Sequence, residues 1–489
     1  MKNFLVYVMG TRGDIQPFIG LGYFLKKKNI NLIFLTLSEH KDFIVKHGFE
    51  SYTLNLKFLR EKKKKNKEEI ELIDNIINFN DNRTVFFRIT QESHHFAVSM
   101  QSHLKNLYHN VGNYTKKMFK NSVHIIDFLK KKYNLEMILI HNHDFNIVSL
   151  VAMVLKIKFI NFCFFPNLVP TDKYPHPFVC CNDSLPYPWN FLNNSKTWSY
   201  IYNLFSLAFN STYQNIIENK TEFTIKPTFF ENFNNFKLEP VVNVFSTHIF
   251  PKLKISKKSH ILETGFLFMK SKKNSKIDSN TLKFINSGKR KNQSIIFFGL
   301  GSMMVPKKKC IEIFEELCEI LEHNQNFKII LANYIAKEIS KMEKNIPDNL
   351  LLLTHGLPYN ILFKKMDLVI CHGGMGTLST AIICKAPLLI IPISYDQYFN
   401  GMIIKEKKIG DYLLIEDIYK LNFKILDIIK NKKIKKKIEK TAELIKNEKS
   451  YEKLWKFIKK MNSSTYYDNL QDKYLQKKSE VGKKKFVLF

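Results

Sequence analysis

A chain of 489 residues, 45% of them apolar, is long enough for two packed domains and excludes a disordered or fibrous protein. The formal charge of +32 resembles that of a nucleic-acid binder, yet only five of the 76 basic residues are arginine, and Asn, Ile and Phe are as abundant as Lys is excessive. That mixture reads as compositional drift rather than a selected basic face, so no nucleic-acid partner is expected, although such a charge draws a chain toward anionic membrane surfaces.

Phe4–Val8 reads as a buried strand. A turn at Thr11–Asp14 leads into the helical pattern Ile15–Lys28, with Pro17 expected in its first turn. Asn31–Thr36 is a second strand, and Ser38 caps a helix ending at Gly48. Residues 55–135 are polar and lysine-rich, with KKKK at Lys62–Lys65, and predict a solvated helical excursion. Met137–His141, Lys158–Phe165, Asn243–Ser246 and Ile261–Gly265 continue the strand series, with a buried helix over Val148–Leu155. Pro166–Trp189 is rich in proline and aromatics and predicts an irregular loop.

Lys270–Gln293 is the linker candidate. Strands then resume at Ser294–Phe298, Lys328–Ala332, Leu350–Thr354, Asp367–Cys371 and Leu388–Ile391, with helices between them. Strand alternating with helix predicts an α/β protein of two doubly wound parallel sheets. The expected division is 1–269, a linker at 270–293, a second domain at 294–445, and a C-terminal helix (Tyr451–Met461) with a basic tail over 446–489. Seven cysteines without CxxC pairing predict reduced thiols. Phe4–Gly10 is too short for a secretory signal and Ile147–Leu155 too short to span a bilayer. A cytoplasmic protein, soluble or peripherally membrane-associated, is expected.

Glycine is scarce, at 17 residues, but seven of these fall in three strings: MGTRGD (Gly10, Gly13), GLGS (Gly299, Gly301) and HGGMGT (Gly373, Gly374, Gly376). Each follows an apolar run and precedes a helical pattern, the geometry in which bare amides and a helix dipole meet an anion. Gly301 and Ser302 are placed to face a diphosphate oxygen, although tight strand–helix turns also use glycine for steric reasons alone. The amides of Gly373 to Thr377, with the side chains of His372 and Thr377, are placed to cradle a phosphate. A histidine satisfying a buried backbone group is the plainer alternative. Asp396 and Gln397, after the strand PLLIIPI, suit hydrogen bonds to sugar hydroxyls, or a helix cap. Asp14 sits on the corresponding turn of the first sheet. It is either a helix cap or a base facing the phosphate site across a cleft, and the two roles are compatible. Arg12 stands out as one of few arginines.

GTRGDIQP, IIFFGLGSMMVP, HGGMGT and P-x-x-x-DQ, in this order, resemble the UDP-glycosyltransferase superfamily with its two-domain GT-B fold. The nearest branch is that of the sterol 3-beta-glucosyltransferases and the bacterial macrolide and glycopeptide glycosyltransferases. The likeness covers Lys2–Ser51, Val148–Phe178, Val242–Phe268 and Ser294–Gly410. PTDKYPHPF (Pro170–Phe178) is similar to the T-x-x-[FY]-PHP segment of sterol glucosyltransferases.

The resemblance implies an inverting transfer of a hexose, glucose from UDP-glucose, to the hydroxyl of a sterol or similar lipid alcohol. Asp14 would take the acceptor proton, within the loop Gly10, Thr11, Arg12 and Gly13. Gly301, Ser302, His372, Gly373, Gly374, Gly376 and Thr377 would hold the diphosphate, and Asp396 and Gln397 the sugar. Thr171, Tyr174, Pro175, His176 and Pro177 would line the acceptor side. It also implies no metal and no cofactor beyond the UDP-sugar co-substrate, because backbone donors stabilise the leaving group. Partners would be the UDP-sugar, the hydrophobic acceptor and an anionic membrane surface.

The chain departs from the pattern in three places. His355-Gly356-Leu357-Pro358-Tyr359 lacks the tryptophan that stacks on uracil in plant members, DQYFN replaces DQPFW, and Ala386 replaces a glycine. A transferase for soluble aglycones and a silent binding protein remain as alternatives. A Rossmann oxidoreductase does not, since GTRGDI lacks the third glycine.

Overall fold

The computed structural model describes residues 2–54, 119, 121–141, 147–166, 169–177, 196–199, 214, 217–218, 221–228, 240–255, 259–269, 276–301, 303, 305–342, 344–393 and 396–478. Expectations for the excursion at 55–118, for Ser302, for most of 178–240, for 270–275 and for the tail at 479–489 lie outside these residues.

The first half contributes β1 (Lys2–Tyr7), β2 (Ile30–Thr36), β3 (Glu50–Thr53), β4 (Leu135–His141), β5 (Lys158–Cys163), β6 (Phe223–Ile225), β7 (Val241–Asn243) and β8 (Ile261–Glu263). The second contributes β9 (Ser294–Gly299), β10 (Phe327–Ala332), β11 (Leu350–Leu353), β12 (Leu368–Cys371), β13 (Leu388–Ile390) and β14 (Gly410–Tyr412). Two parallel sheets result, ordered β3-β2-β1-β4-β5-β7-β8 and β11-β10-β9-β12-β13-β14. Strand order reverses between β1 and β4 in one and between β9 and β12 in the other. Open α/β sheets bind ligands at the carboxyl ends of strands flanking such a reversal.

The apolar runs are continuous because helices cover both faces of each sheet. Alternate residues of β1 and β4 divide between two cores: Leu5, Tyr7, Ile138 and Ile140 on one face, Phe4, Val6, Met137 and Leu139 on the other. The second sheet repeats this with Ile295, Phe297 and Val369 against Ile296, Phe298 and Ile370. The short polar strands β3 and β14 escape a hydrophobicity reading because they are edges with little apolar surface.

The lobes share one core. Tyr174 and Phe250 from the first half pack on Phe399 of the second, with ring centroids 5.0 and 6.0 Å away. Past the second sheet the chain crosses back. The helix Ser450–Ser463 buries Leu454, Phe457, Ile458 and Met461 in the same core as Phe4 and Val6. Tyr451 anchors it by donating to the Phe268 carbonyl at 2.9 Å. The final strand β15 (Leu475–Lys477) pairs antiparallel with β6.

Two local expectations change. The polar stretch 270–293 is not all linker: a helix spans Ser279–Arg290, capped by the Asp278 carboxylate on the Thr281 amide at 2.9 Å and seated on buried Ile285. One buried side chain and one cap suffice where composition alone reads as flexible. The first helix starts at Arg12 rather than Ile15, so Pro17 lies inside it. Proline has no N–H to offer the carbonyl four residues back, which leaves the Gly13 carbonyl without its helical donor.

Because the returning helix closes the first lobe's core, Leu454→Ala should destabilise the protein by about 2–5 kcal/mol. Urea unfolding monitored by circular dichroism measures this; a loss under about 0.5 kcal/mol would mean that the helix docks only loosely.

Candidate functional site

Both reversals carry the glycine strings and a histidine. In the first lobe, Thr11 is the N-cap of the helix Arg12–Lys26 and Asp14 is its third residue. One oxygen of Asp14, Oδ2, accepts from the Thr11 amide at 2.6 Å and from the Thr11 hydroxyl at 3.0 Å. This capping interaction folds the carboxylate back over Gly10, where any side chain would collide with it. The other oxygen, Oδ1, lies 3.5 Å from Nε2 of His141, the last residue of β4. His141 is only 3% exposed, whereas the Asp14 side chain is 23% exposed. Burial pushes the imidazole below the ordinary histidine range, and the Asp14 charge opposes that shift. The arrangement is a neutral buried imidazole orienting a partly open carboxylate.

Sequence reasoning did not select His141. Its signal is positional: it closes β4 as His372 follows β12, and each of these strands flanks a reversal.

In the second lobe, the two glycine strings close on one imidazole. Gly301 has φ +63°, and a Cβ there would sit 2.5 Å from Cε1 of His372; a Cβ on Gly374 would collide with Nε2 of the same ring. His372 is thereby held almost fully buried. Gly373 has φ +86° and packs against β13 and the helix Asp396–Glu406, where a Cβ would meet Ile390 at 2.7 Å and the Gln397 carbonyl at 3.3 Å.

The helix Met375–Ile383 begins at Gly374 with no side-chain cap. Its Thr377 and Leu378 amides bond to the Gly374 carbonyl at 3.1 and 3.0 Å. The phosphate cradle expected over Gly373–Thr377 therefore narrows to the first-turn amides of Met375 and Gly376, which have no intrahelical acceptor.

Asp396 and Gln397 separate in role. Gln397 is buried, accepting from the Ile393 amide at 2.9 Å and approaching the Met303 sulfur at 3.6 Å, so it ties the end of β13 to the loop after Gly301. Asp396 is half-buried beside Asn400, whose amide donates to the Gly373 carbonyl at 2.9 Å. Asp396 is thus the better placed of the two to meet a ligand.

The lobes face each other at these turns. A Cβ on Gly376 would lie 3.5 Å from the Gly13 Cα, and one on Gly356 would lie 3.5 Å from Nη1 of Arg12. Arg12 also covers the Phe43 ring at 4.6 Å. Tyr359 is not a platform for a base: its ring stacks on Phe363 at 4.7 Å and its hydroxyl donates to Asn333 at 3.0 Å.

In the Pro-aromatic loop, Tyr174, His176 and Pro177 are buried, and Thr171 and Pro175 are half-buried. Tyr174 and His176 pack on Trp198, whose Nε1 donates to the Tyr174 carbonyl at 3.1 Å. Tyr174 also meets Phe399 of the second lobe, and Thr171 and Pro175 are the more accessible positions of the loop.

A histidine depressed by burial is neutral in the fold and more easily protonated when unfolded. Its contribution to stability is present above about pH 6.5, the unfolded value, and is lost as pH falls toward the folded value. Titration of His141 by NMR should give a pKa below 6.5, and lower still in Asp14→Asn, which removes the opposing charge. An unchanged or higher value in the variant would disprove the pairing.

Two family models match the sequence: the glycosyltransferase family 28 N-terminal domain over residues 4–89 and the glycosyltransferase family 28 C-terminal domain over residues 322–455. The chain is 24% identical to a sterol 3-beta-glucosyltransferase of Saccharomyces cerevisiae over 83% of its own length and 31% of the relative's. It is 23% identical to that of Kluyveromyces lactis, over 83% and 30%. The chain thus spans about a third of the length of the curated relatives it matches. Among solved structures, the glycotransferase of kitacinnamycin superposes with a TM-score of 0.60 at 12% identity, covering 94% of this chain and 98% of that one. Paired parallel sheets, reversal-point glycine turns and the structural likeness give this chain the two-domain GT-B fold, and its two ends match the glycosyltransferase family 28 models.

Proposed function

We propose that the protein is an inverting glycosyltransferase that moves glucose from UDP-glucose to the hydroxyl of a sterol or similar lipid alcohol. The observation carrying this is that the turn bearing Asp14 meets the uncapped start of the helix Met375–Ile383, Gly13 Cα lying 3.5 Å from where a Cβ on Gly376 would stand. The sterol glucosyltransferase relatives support the acceptor class.

In this reading the acceptor hydroxyl enters beside Asp14 and loses its proton to the carboxylate as its oxygen attacks the anomeric carbon. The bond from that carbon to the diphosphate oxygen breaks, and UDP departs with the electron pair. The amides of Met375 and Gly376, the His372 ring and the helix dipole take up the charge that develops. Each such donor contributes on the order of 3 kcal/mol to lowering the barrier. Asp396 accepts from the sugar hydroxyls. His141 orients Asp14 without taking the proton itself. Backbone donors of this kind need no metal, and we propose that none is used.

Labelled UDP-glucose offered with sterols, phenols and macrolide aglycones, with and without chelator, tests the reading. Transfer to sterols that chelator leaves intact is expected. Transfer to soluble aglycones alone would reassign the acceptor, hydrolysis of UDP-glucose without transfer to any alcohol would discard the transferase reading, and binding without any turnover would discard the enzyme reading. Asp14→Asn can still cap the helix, so it should bind UDP normally yet lose about 10³-fold in kcat. Turnover within about tenfold of normal would remove Asp14 as the base.

A further inference from the structure

Twelve of the 30 residues from Asn431 to Lys460 are lysine, none is arginine and four are glutamate, whereas Lys and Arg together make up only 76 of 489 in the chain. Compositional drift raises lysine everywhere; it does not explain this density. The stretch forms two helices, Lys432–Lys446 and Ser450–Ser463, one on each lobe. Their apolar sides are already occupied, by Ile434, Ile438 and Ile445 on the second lobe and by Leu454, Phe457 and Met461 on the first. The lysines consequently face outward.

Few of them sit in close ion pairs. Among the described residues, Lys446 alone of the twelve has a carboxylate within 4.0 Å, that of Glu443 at 3.0 Å. Some lysines elsewhere do pair, as Lys2 with Glu136 and Lys289 with Asp367, both at 2.7 Å. Like charges three and four residues apart weaken a helix unless something external compensates them.

Where the two helices meet, a cavity of about 440 Å³ opens between the lobes, lined by His248, Lys449, Lys453 and Lys456, with Leu444 on its wall. Glu448 also lines it but turns one carboxylate oxygen inward, accepting from Ser246 at 2.6 Å; Glu452 is the other acid present. Leu444 is 42% exposed. Cationic groups converging on a cavity with an apolar side chain beside them match a phosphate-bearing lipid headgroup and the upper part of its acyl chains. Nucleic acid fits less well. Trp455, the one aromatic side chain of these helices near the lysines' outer face, is half-buried beneath Lys459 rather than free to stack a base.

We propose that the lysine face of these two helices docks the protein on an anionic bilayer, with a lipid phosphate seated in the cavity at their crossover. Each lysine near such a surface strengthens binding roughly fivefold at moderate salt, which screening removes. The docking stands apart from the sterol reading, since it needs neither donor nor acceptor.

Co-sedimentation of the full chain with phosphatidylcholine vesicles, alone or with about one-third phosphatidylserine, tests it. Binding should require the anionic lipid and fall at high salt. Lys432→Gln combined with Lys436→Gln and Lys440→Gln should weaken it by about 100-fold, and Lys453→Gln with Lys456→Gln by at least tenfold. Both sets should leave UDP binding and thermal stability unchanged. Equal binding to neutral vesicles, wild-type binding by either variant set, or binding to RNA in place of vesicles would overturn the proposal. Inorganic phosphate at constant ionic strength should compete only weakly; full displacement by it would make the cavity a free-phosphate site instead.

Discussion

The starts of two helices, one in each lobe, meet at Gly13 and Gly376, and only one of them is capped by a side chain. The start of Arg12–Lys26 is closed by the Asp14 carboxylate through the Thr11 amide and hydroxyl. The start of Met375–Ile383 carries no side-chain cap. A helix start is worth roughly half a positive charge, so the uncapped one favours an anion beside it. The cleft is built around that vacancy of charge, and the placement of Asp14, His141 and His372 follows from it.

Glycine makes the approach possible. Gly13 and Gly376 lie where the two turns meet, and at Gly301 and Gly374 any side chain would collide with the His372 ring. At Gly301 and Gly373 positive φ adds a second reason, since a side chain would strain the backbone as well as collide. A chain that avoids glycine elsewhere keeps it where backbones must meet each other or a ligand.

Much of this was legible in the amino-acid order. The strands leading into each glycine string and the paired sheets follow from apolar runs bounded by turns, and the family resemblance tied the strings into one cleft. What stayed hidden depends on distance in space. His141 lies far along the chain from Asp14, and only the strand order β1-β4 brings them together. Gln397 reads as a ligand residue beside Asp396, yet it faces inward because the helix turns it toward Met303. That Tyr174 and His176 are buried against Trp198, with Tyr174 in the core shared by the two lobes, also depends on the fold. The helix Ser279–Arg290 was masked by lysines on its outer face.

The same geometry unites the proposals: an anion fills the uncapped terminus, Asp14 receives a proton opposite it, and the returning helices fix the lobes in register. Determining the structure with UDP bound tests this most directly. The diphosphate should lie within about 3.5 Å of the Met375 and Gly376 amides and of the His372 ring, on the side facing Asp14. A diphosphate bound elsewhere, with that helix start still bare, would contradict the account.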